Sequence, residues 1–342
     1  MMDLLKTLCM LNGVSGDEGK VRDYLFSQFG SHADTCRTDA LGNLIMTKKG
    51  AKSAPNHLML CAHMDEVGLI VTHITEDGYL KFQFVGGVDR RVAIGKQVRL
   101  GTEQIPGVIG LKAYHLVSKE EEKKIPKTES FYIDIGAKSR QDAEDLVPLG
   151  SYGSFVCEAE LFGQGLFKAK AIDDRFGCAV MARLLMEDLP MDVTFAFTAQ
   201  EEVGTRGAFA AAFSVTPEIA LVLETTTAAD IPSVEGSRRV CALKKGPVIS
   251  YMDGAAIYDR ALFETLRTLA QEHGIPWQTK EYVAGGNDAS AIQRTKAGVR
   301  VAAVSAPIRY LHAPASVGSP EDFQHSLTLV RLLIHYLAAQ LP

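Results

Sequence analysis

Residues 192–198 read DVTFAFT, a run of β-branched and aromatic residues that predicts a buried strand, and they lead directly into Ala199-Gln200-Glu201-Glu202. Two adjacent carboxylates at the end of a buried strand are costly unless something cationic sits beside them. A glycine-bearing turn follows, then a small-residue helix from Ala208. The pair therefore stands at a strand end, where open α/β sheets bind their ligands. Taken alone it reads first as a solvated acidic turn, so the other strand ends have to decide.

The rest of the chain supplies such ends. Helices are predicted at 2–11 and 18–29, with Asp17 placed to cap the second, then a hairpin over 35–48 around Leu41-Gly42-Asn43 and a strand at 57–61. From 69 to about 162 the texture changes to short strand-like runs broken by glycine (69–74, 80–85, 97–100, 108–111, 131–135) with one helix at 139–146, the pattern of a small β-barrel or sandwich. Beyond Gly163-Gln164-Gly165, helices at 173–186, 208–213, 260–273, 289–294 and 321–339 alternate with strands at 193–198, 219–223, 247–251, 277–282 and 299–304. That alternation implies an α/β fold with a mixed, mostly parallel sheet flanked by helices. The economical organisation is one discontinuous domain, 1–68 and 164–342, interrupted by an inserted β-barrel domain, 69–163, whose two ends lie close together.

Composition narrows the function classes. A net charge of −5 with both signs dispersed offers no basic stripe for nucleic acid. No apolar run is long enough to span a membrane, and the amphipathic N-terminus carries Asp3 and Lys6 without a small-residue cleavage site, so it reads as a helix and not a signal peptide. The six cysteines lack close-pair spacing and lie in apolar contexts, as buried thiols of a reducing compartment do. The expected location is the cytoplasm.

Polar residues gather where apolar strands end. His63 and Asp65 follow 57–61, Asp173 and Asp174 follow 167–172, Glu201 and Glu202 follow 193–198, Glu224 ends 219–223, and His312 follows 301–308. Carboxylates and imidazoles converging on one sheet edge form a nitrogen and oxygen donor set that suits Zn²⁺, Co²⁺ or Mn²⁺. Each residue has a plainer reading: His63 a core histidine, Asp174 a helix cap, Glu224 a surface residue, His312 a loop histidine stacked on Tyr310, and Asp288 a cap of the helix after it. Asp65, two residues beyond His63, can hold that ring's other nitrogen, as carboxylates behind metal-bound imidazoles do. Asp174 is expected to cap, leaving Asp173 free for a metal.

The motifs AHMDEVG, AIDDRFG, AQEEVGTRGA, GGNDAS and RYLHAPAS, in this order, resemble those of the tetrahedral and glutamyl aminopeptidases, a family of dinuclear metallopeptidases with a zinc-exopeptidase fold. The resemblance covers essentially the whole chain. It implies two divalent metal ions per subunit, one bound by His63, Asp173 and Glu224 and the other by Asp173, Glu202 and His312, with Asp173 bridging. It further implies Glu201 as general base, Asp65 as the orienter of His63, a cis peptide after Asp173, short peptide substrates, and a homo-oligomer, the tetrahedral dodecamer. The chain departs from the pattern at Glu224, where many relatives carry aspartate; glutamate can still ligate.

The activity so implied is removal of N-terminal residues from short peptides. A metal-dependent carboxypeptidase or deacylase is the nearest alternative. A glycoside hydrolase would need carboxylates ~5–9 Å apart across a sugar ring, which adjacent residues of one turn do not naturally provide. A non-catalytic assembly protein would not need the intact donor set. Arg238, Arg239, Lys244 and Lys245 read as a solvated cationic face.

Overall fold

The computed structural model describes residues 1–283 and 285–342. Helices α1 (Met2–Met10) and α2 (Gly19–Phe29) precede the hairpin strands β1 (Thr35–Thr38) and β2 (Leu44–Lys48), after which β3 (Leu58–His63) ends on its histidine. Next come β4 (Gly68–Ile74), β5 (Leu80–Val85), β6 (Gln97–Leu100), β7 (Ile105–Gly110), β8 (Tyr132–Asp134), helix α3 (Arg140–Leu146) and β9 (Tyr152–Phe155). The third section runs β10 (Glu160–Phe162), β11 (Leu166–Ala169), α4 (Ile172–Leu185), β12 (Val193–Thr198), α5 (Arg206–Val215), β13 (Ile219–Thr227) and β14 (Val248–Ile249). It closes with α6 (Arg260–Glu272), α7 (Ala289–Ile292), β15 (Arg300–Arg309), β16 (Ser316–Gly318) and α8 (Pro320–Gln340).

Strands β4 to β9 close into an antiparallel barrel in the order β4-β5-β8-β7-β6-β9, and its first and last strands pair at Leu69 and Gly153. The remaining strands form one sheet in the order β1-β2-β12-β3-β13-β15-β16-β11-β10, with β14 alongside β15. Its centre, β12-β3-β13-β15, is parallel, and antiparallel strands flank it. The predicted fold class, a mixed α/β sheet flanked by helices with an inserted β-barrel, is therefore the one observed, but parallel pairing is confined to the four central strands rather than prevailing across the sheet. Strands β3 and β12 are buried at every residue because helices cover both faces. Alternate residues go to opposite sides: Leu58, Leu60 and Ala62 belong to the core that includes residues of α1, α4, α6 and α8, while Met59 and Cys61 belong to the one that includes Ala208, Ala211 and Ala212 of α5.

Some local expectations are corrected. The region 277–282 forms no strand; only Gln278 bridges to Val248, and its side-chain amide donates instead to the carbonyls of Ala242 and Gly246. The strand expected at 247–251 shrinks to Val248–Ile249. Glu18, not Asp17, occupies the position before α2. Glu160–Phe162, assigned from sequence to the insert, pairs with β11 in the large sheet. Cys36 and Cys157 are half-buried rather than buried, and all six cysteines are free. No helix among the described residues is long and apolar enough to cross a membrane.

Candidate active site

The parallel centre of the sheet presents its C-terminal strand ends to one cleft. Thr198 pairs with His63 at the ends of β12 and β3, so the turn carrying Glu201 and Glu202 emerges beside the histidine. Strands β3 and β13 pair only as far as Cys61 and Val222. Beyond that point the ladder opens, and His63 faces Glu224 across the gap with Nε2 3.6 Å from Oε1. Glu224 lies inside β13 rather than after it, and its Oε1 also accepts from the Thr225 N–H at 2.8 Å. His312 arrives on the loop between β15 and β16 with a left-handed backbone, φ 57°.

Asp173 sits at the middle of this arrangement. Its Oδ1 is 3.4 Å from His63 Nε2, and its Oδ2 is 3.5 Å from His312 Nε2. Glu202 Oε2 is 3.2 Å from the same His312 nitrogen. The Asp173–Asp174 peptide is cis. Asp174 Oδ1 accepts from the Gly177 N–H at 2.9 Å, the bond of a capping side chain. Buried Asp173 Oδ1 has no hydrogen-bond partner. One donor atom each from His63, Asp173 and Glu202 lies within 4.8 Å of the others, and the same holds for His63, Asp174 and Glu224. Asp174 is wholly buried, with Oδ1 bonded to Gly177 and Oδ2 without a partner, whereas Asp173 lines the cleft.

His63 is oriented from behind. Its Nδ1 is 3.1 Å from the Asp65 carbonyl and 3.4 Å from Asp65 Oδ1, which leaves Nε2 for the cleft. The Asp65 carboxylate also accepts from Ser15 Oγ at 2.6 Å and from the N–H groups of Glu201 and Glu202 at 3.0 and 3.1 Å. A cavity of about 440 Å³ is lined by His63, Asp173, Glu201, Glu224 and His312, with Arg238 and Lys280 also on its wall. Arg238 is thus part of the cleft rather than only a solvated face. Asp288 does not cap α7: it is buried and accepts from Thr198 Oγ1 at 2.6 Å, beneath the site. Sequence reading took Asp288 for a cap and missed Ser15 and Lys280, since neither of those two carries a ligand-like spacing to the motifs.

A family model described as M42 glutamyl aminopeptidase matches residues 42–329. The chain belongs to this family. It is 34% identical to the lysyl aminopeptidase of Pyrococcus furiosus over 345 residues, covering 98% of this chain and 97% of that one. A solved aminopeptidase of Desulfurococcus kamchatkensis superposes with a TM-score of 0.92 at 34% identity, covering 97% and 94% of the two chains. The TET1 peptidase of Pyrococcus horikoshii, which can assemble into a tetrahedron or a large octahedral shell, superposes with a TM-score of 0.85 at 33% identity over 97% and 98%. This M42 chain is a metal-dependent aminopeptidase, a hydrolase of peptide bonds.

The donor set fits cations on its own chemistry, because carboxylates packed this closely stay charged only beside positive charge. Burial, then the charge of Asp173, pushes Glu202 and Glu224 up to about 8 from the ordinary 4.5. Burial opposes the charged form of His312, but Asp173 and Glu202 outweigh it and raise the ring to about 9 from 6.5. Between about pH 5 and 9 the cation-free fold therefore binds more protons than the unfolded chain, so its stability falls as pH rises. Asp173 and Asp65 are held low, and their contribution is lost only in acid, below that window. The melting temperature of chelated M42 enzyme is expected to drop steadily from pH 5 to 9, and that of enzyme supplied with Zn²⁺ or Co²⁺ to hold. A chelated protein that gains stability across this window would contradict the assignment.

Proposed function

We propose that the chain removes N-terminal residues from short peptides, with one divalent cation held by His63, Asp173 and Glu224 and a second by Asp173, Glu202 and His312. The observation that carries this reading is Asp173, whose two carboxylate oxygens face two different imidazoles. Zn²⁺, Co²⁺ and Mn²⁺ all suit such donors. When bound, paired cations supply Lewis acidity that polarises the scissile carbonyl and acidifies water. Glu201, on the same cavity wall, takes the water's proton and returns it to the leaving amine. Asp65 positions His63 and, through two backbone N–H groups, the turn bearing Glu201 and Glu202.

We further propose a preference for acidic first residues. Among the described residues, apart from those assigned to the cations and Glu201, the charged groups lining the cavity are Arg238 and Lys280, both cationic. Lysyl and glutamyl names both occur among the relatives, so the outcome is not set by the family. Short peptides beginning with Glu, Leu or Lys, and their N-acetylated twins, would be assayed after chelation and again with each metal. The expected result is metal-dependent release of the first residue from free peptides alone, with kcat/KM for Glu at least about tenfold above that for Lys, the worth of one modest charge contact. Cleavage of the acetylated twins would instead indicate a deacylase or carboxypeptidase. Faster release of Lys would overturn the acidic preference.

For assembly we propose a tetrahedral dodecamer, in keeping with the tetrahedron that the horikoshii peptidase can form, and a cytoplasmic location in keeping with six free thiols. Light scattering in solution tests the first.

A further inference from the structure

The turn bearing Glu201 and Glu202 is fastened by three side chains, two of which, Glu18 and Asn43, lie outside every motif that marks the family. Four successive backbone N–H groups, those of Ala199, Gln200, Glu201 and Glu202, each donate to a side-chain oxygen. Asp65 takes the last two. The first goes to Asn43 Oδ1 at 2.8 Å and the second to Glu18 Oε1 at 3.0 Å. Asn43 follows the β1–β2 turn, and Glu18 stands at the entrance to α2, so the two come from separate segments.

Both are built into the fold. Asn43 is fully buried, and its Nδ2 donates to Asp39 Oδ2 at 2.7 Å and to the Gly207 carbonyl at 2.9 Å. It therefore grips the turn at both ends, Ala199 and Gly207. A Cβ on Gly207 would lie 2.2 Å from Asn43 Oδ1, which explains the glycine there. Glu18 is 5% exposed, and its Oε1 also accepts from the Gly16 N–H at 2.7 Å, tying the turn to the 13–18 loop that carries Ser15. Gln200, the residue Glu18 holds, has φ +58°, a left-handed conformation that a non-glycine residue keeps only when its surroundings enforce it.

We propose that Glu18 and Asn43 are positioning residues that lock the 199–207 turn and so fix Glu201 and Glu202 against the cleft; this rests on the roles given to those two glutamates above. Neither side chain lines the cavity. Each acts through the backbone, where a displacement of an ångström is enough to misplace a base.

The test compares Glu18→Ala, Glu18→Gln and Asn43→Ala in the full-length protein. Hydrogen exchange reads the turn directly and independently of catalysis: amides 199–202 are expected to exchange faster in both alanine variants and at the wild-type rate in Glu18→Gln, which keeps an acceptor oxygen. With peptide substrate and saturating metal, the alanine variants are expected to lose about 10- to 100-fold in kcat with KM little changed, and to bind the second metal equivalent more weakly by a similar factor. Glu18→Gln is expected to restore all three readouts. Unchanged exchange in Glu18→Ala, or a Glu18→Gln variant as impaired as Glu18→Ala, would overturn the clamp. A wild-type protein inactive on every peptide would overturn the functional reading while leaving the exchange result to judge the clamp.

Discussion

Glu201→Gln is expected to lower kcat by about 10²- to 10⁴-fold, the range that general acid–base groups contribute, while both cations remain bound. The substitution keeps the shape of the side chain and the backbone bond from the Glu201 N–H to Asp65, and it removes only the ability to take a proton. Burial, with the charges of Asp288, Glu224 and Glu202 adding to it, raises the Glu201 carboxyl well above the ordinary range in the cation-free protein. Such a group leaves its charged form only grudgingly stable, which is what a base must be in order to accept a proton readily. Because Glu201 is not among the proposed ligands, metal content measured on the purified variant separates its role from that of Glu202. Glu202→Gln should lose a cation as well as activity. A Glu201→Gln enzyme with normal turnover would remove Glu201 from the chemistry.

The candidate ligand positions are legible because charged residues stand at or just beyond the ends of the apolar runs of the parallel centre, and those that stay buried there have the cleft to face. Strands β3, β12, β13 and β15 were each readable as such runs. What escaped the sequence were features set by partners far away in the chain. Glu18 meets Gln200 across 182 positions and Asn43 meets Ala199 across 156, and no periodicity records such bonds. Asp288 looked like a cap, yet Asn287 Oδ1 takes the Ala289 N–H and leaves Asp288 to reach Thr198 instead. The run at 277–282 has strand-like residues, but the sheet offers it only the two-residue edge strand β14, so pairing stops at a single bridge. Local composition can propose a strand; the neighbour's length decides whether it forms.

Asp173→Asn is expected to empty both cation positions, because one carboxylate is asked to serve two imidazole-bearing sites. Asparagine retains a single carbonyl oxygen, and its amide nitrogen must then face either His63 or His312 as a donor where a ligand is required. The negative charge that both proposed positions share is lost at the same stroke, and a neutral amide puts no charged oxygen in place of Oδ1 beside His63. Metal content should fall below one ion per chain after dialysis, and activity should drop by at least about 10²-fold with it. Glu224→Gln provides the contrast, since Glu224 faces His63 alone and its loss should cost a single ion. If Asp173→Asn kept both ions, Asp173 would not bridge, and the second compact donor set, His63 with Asp174 and Glu224, would become the place to look for the first cation.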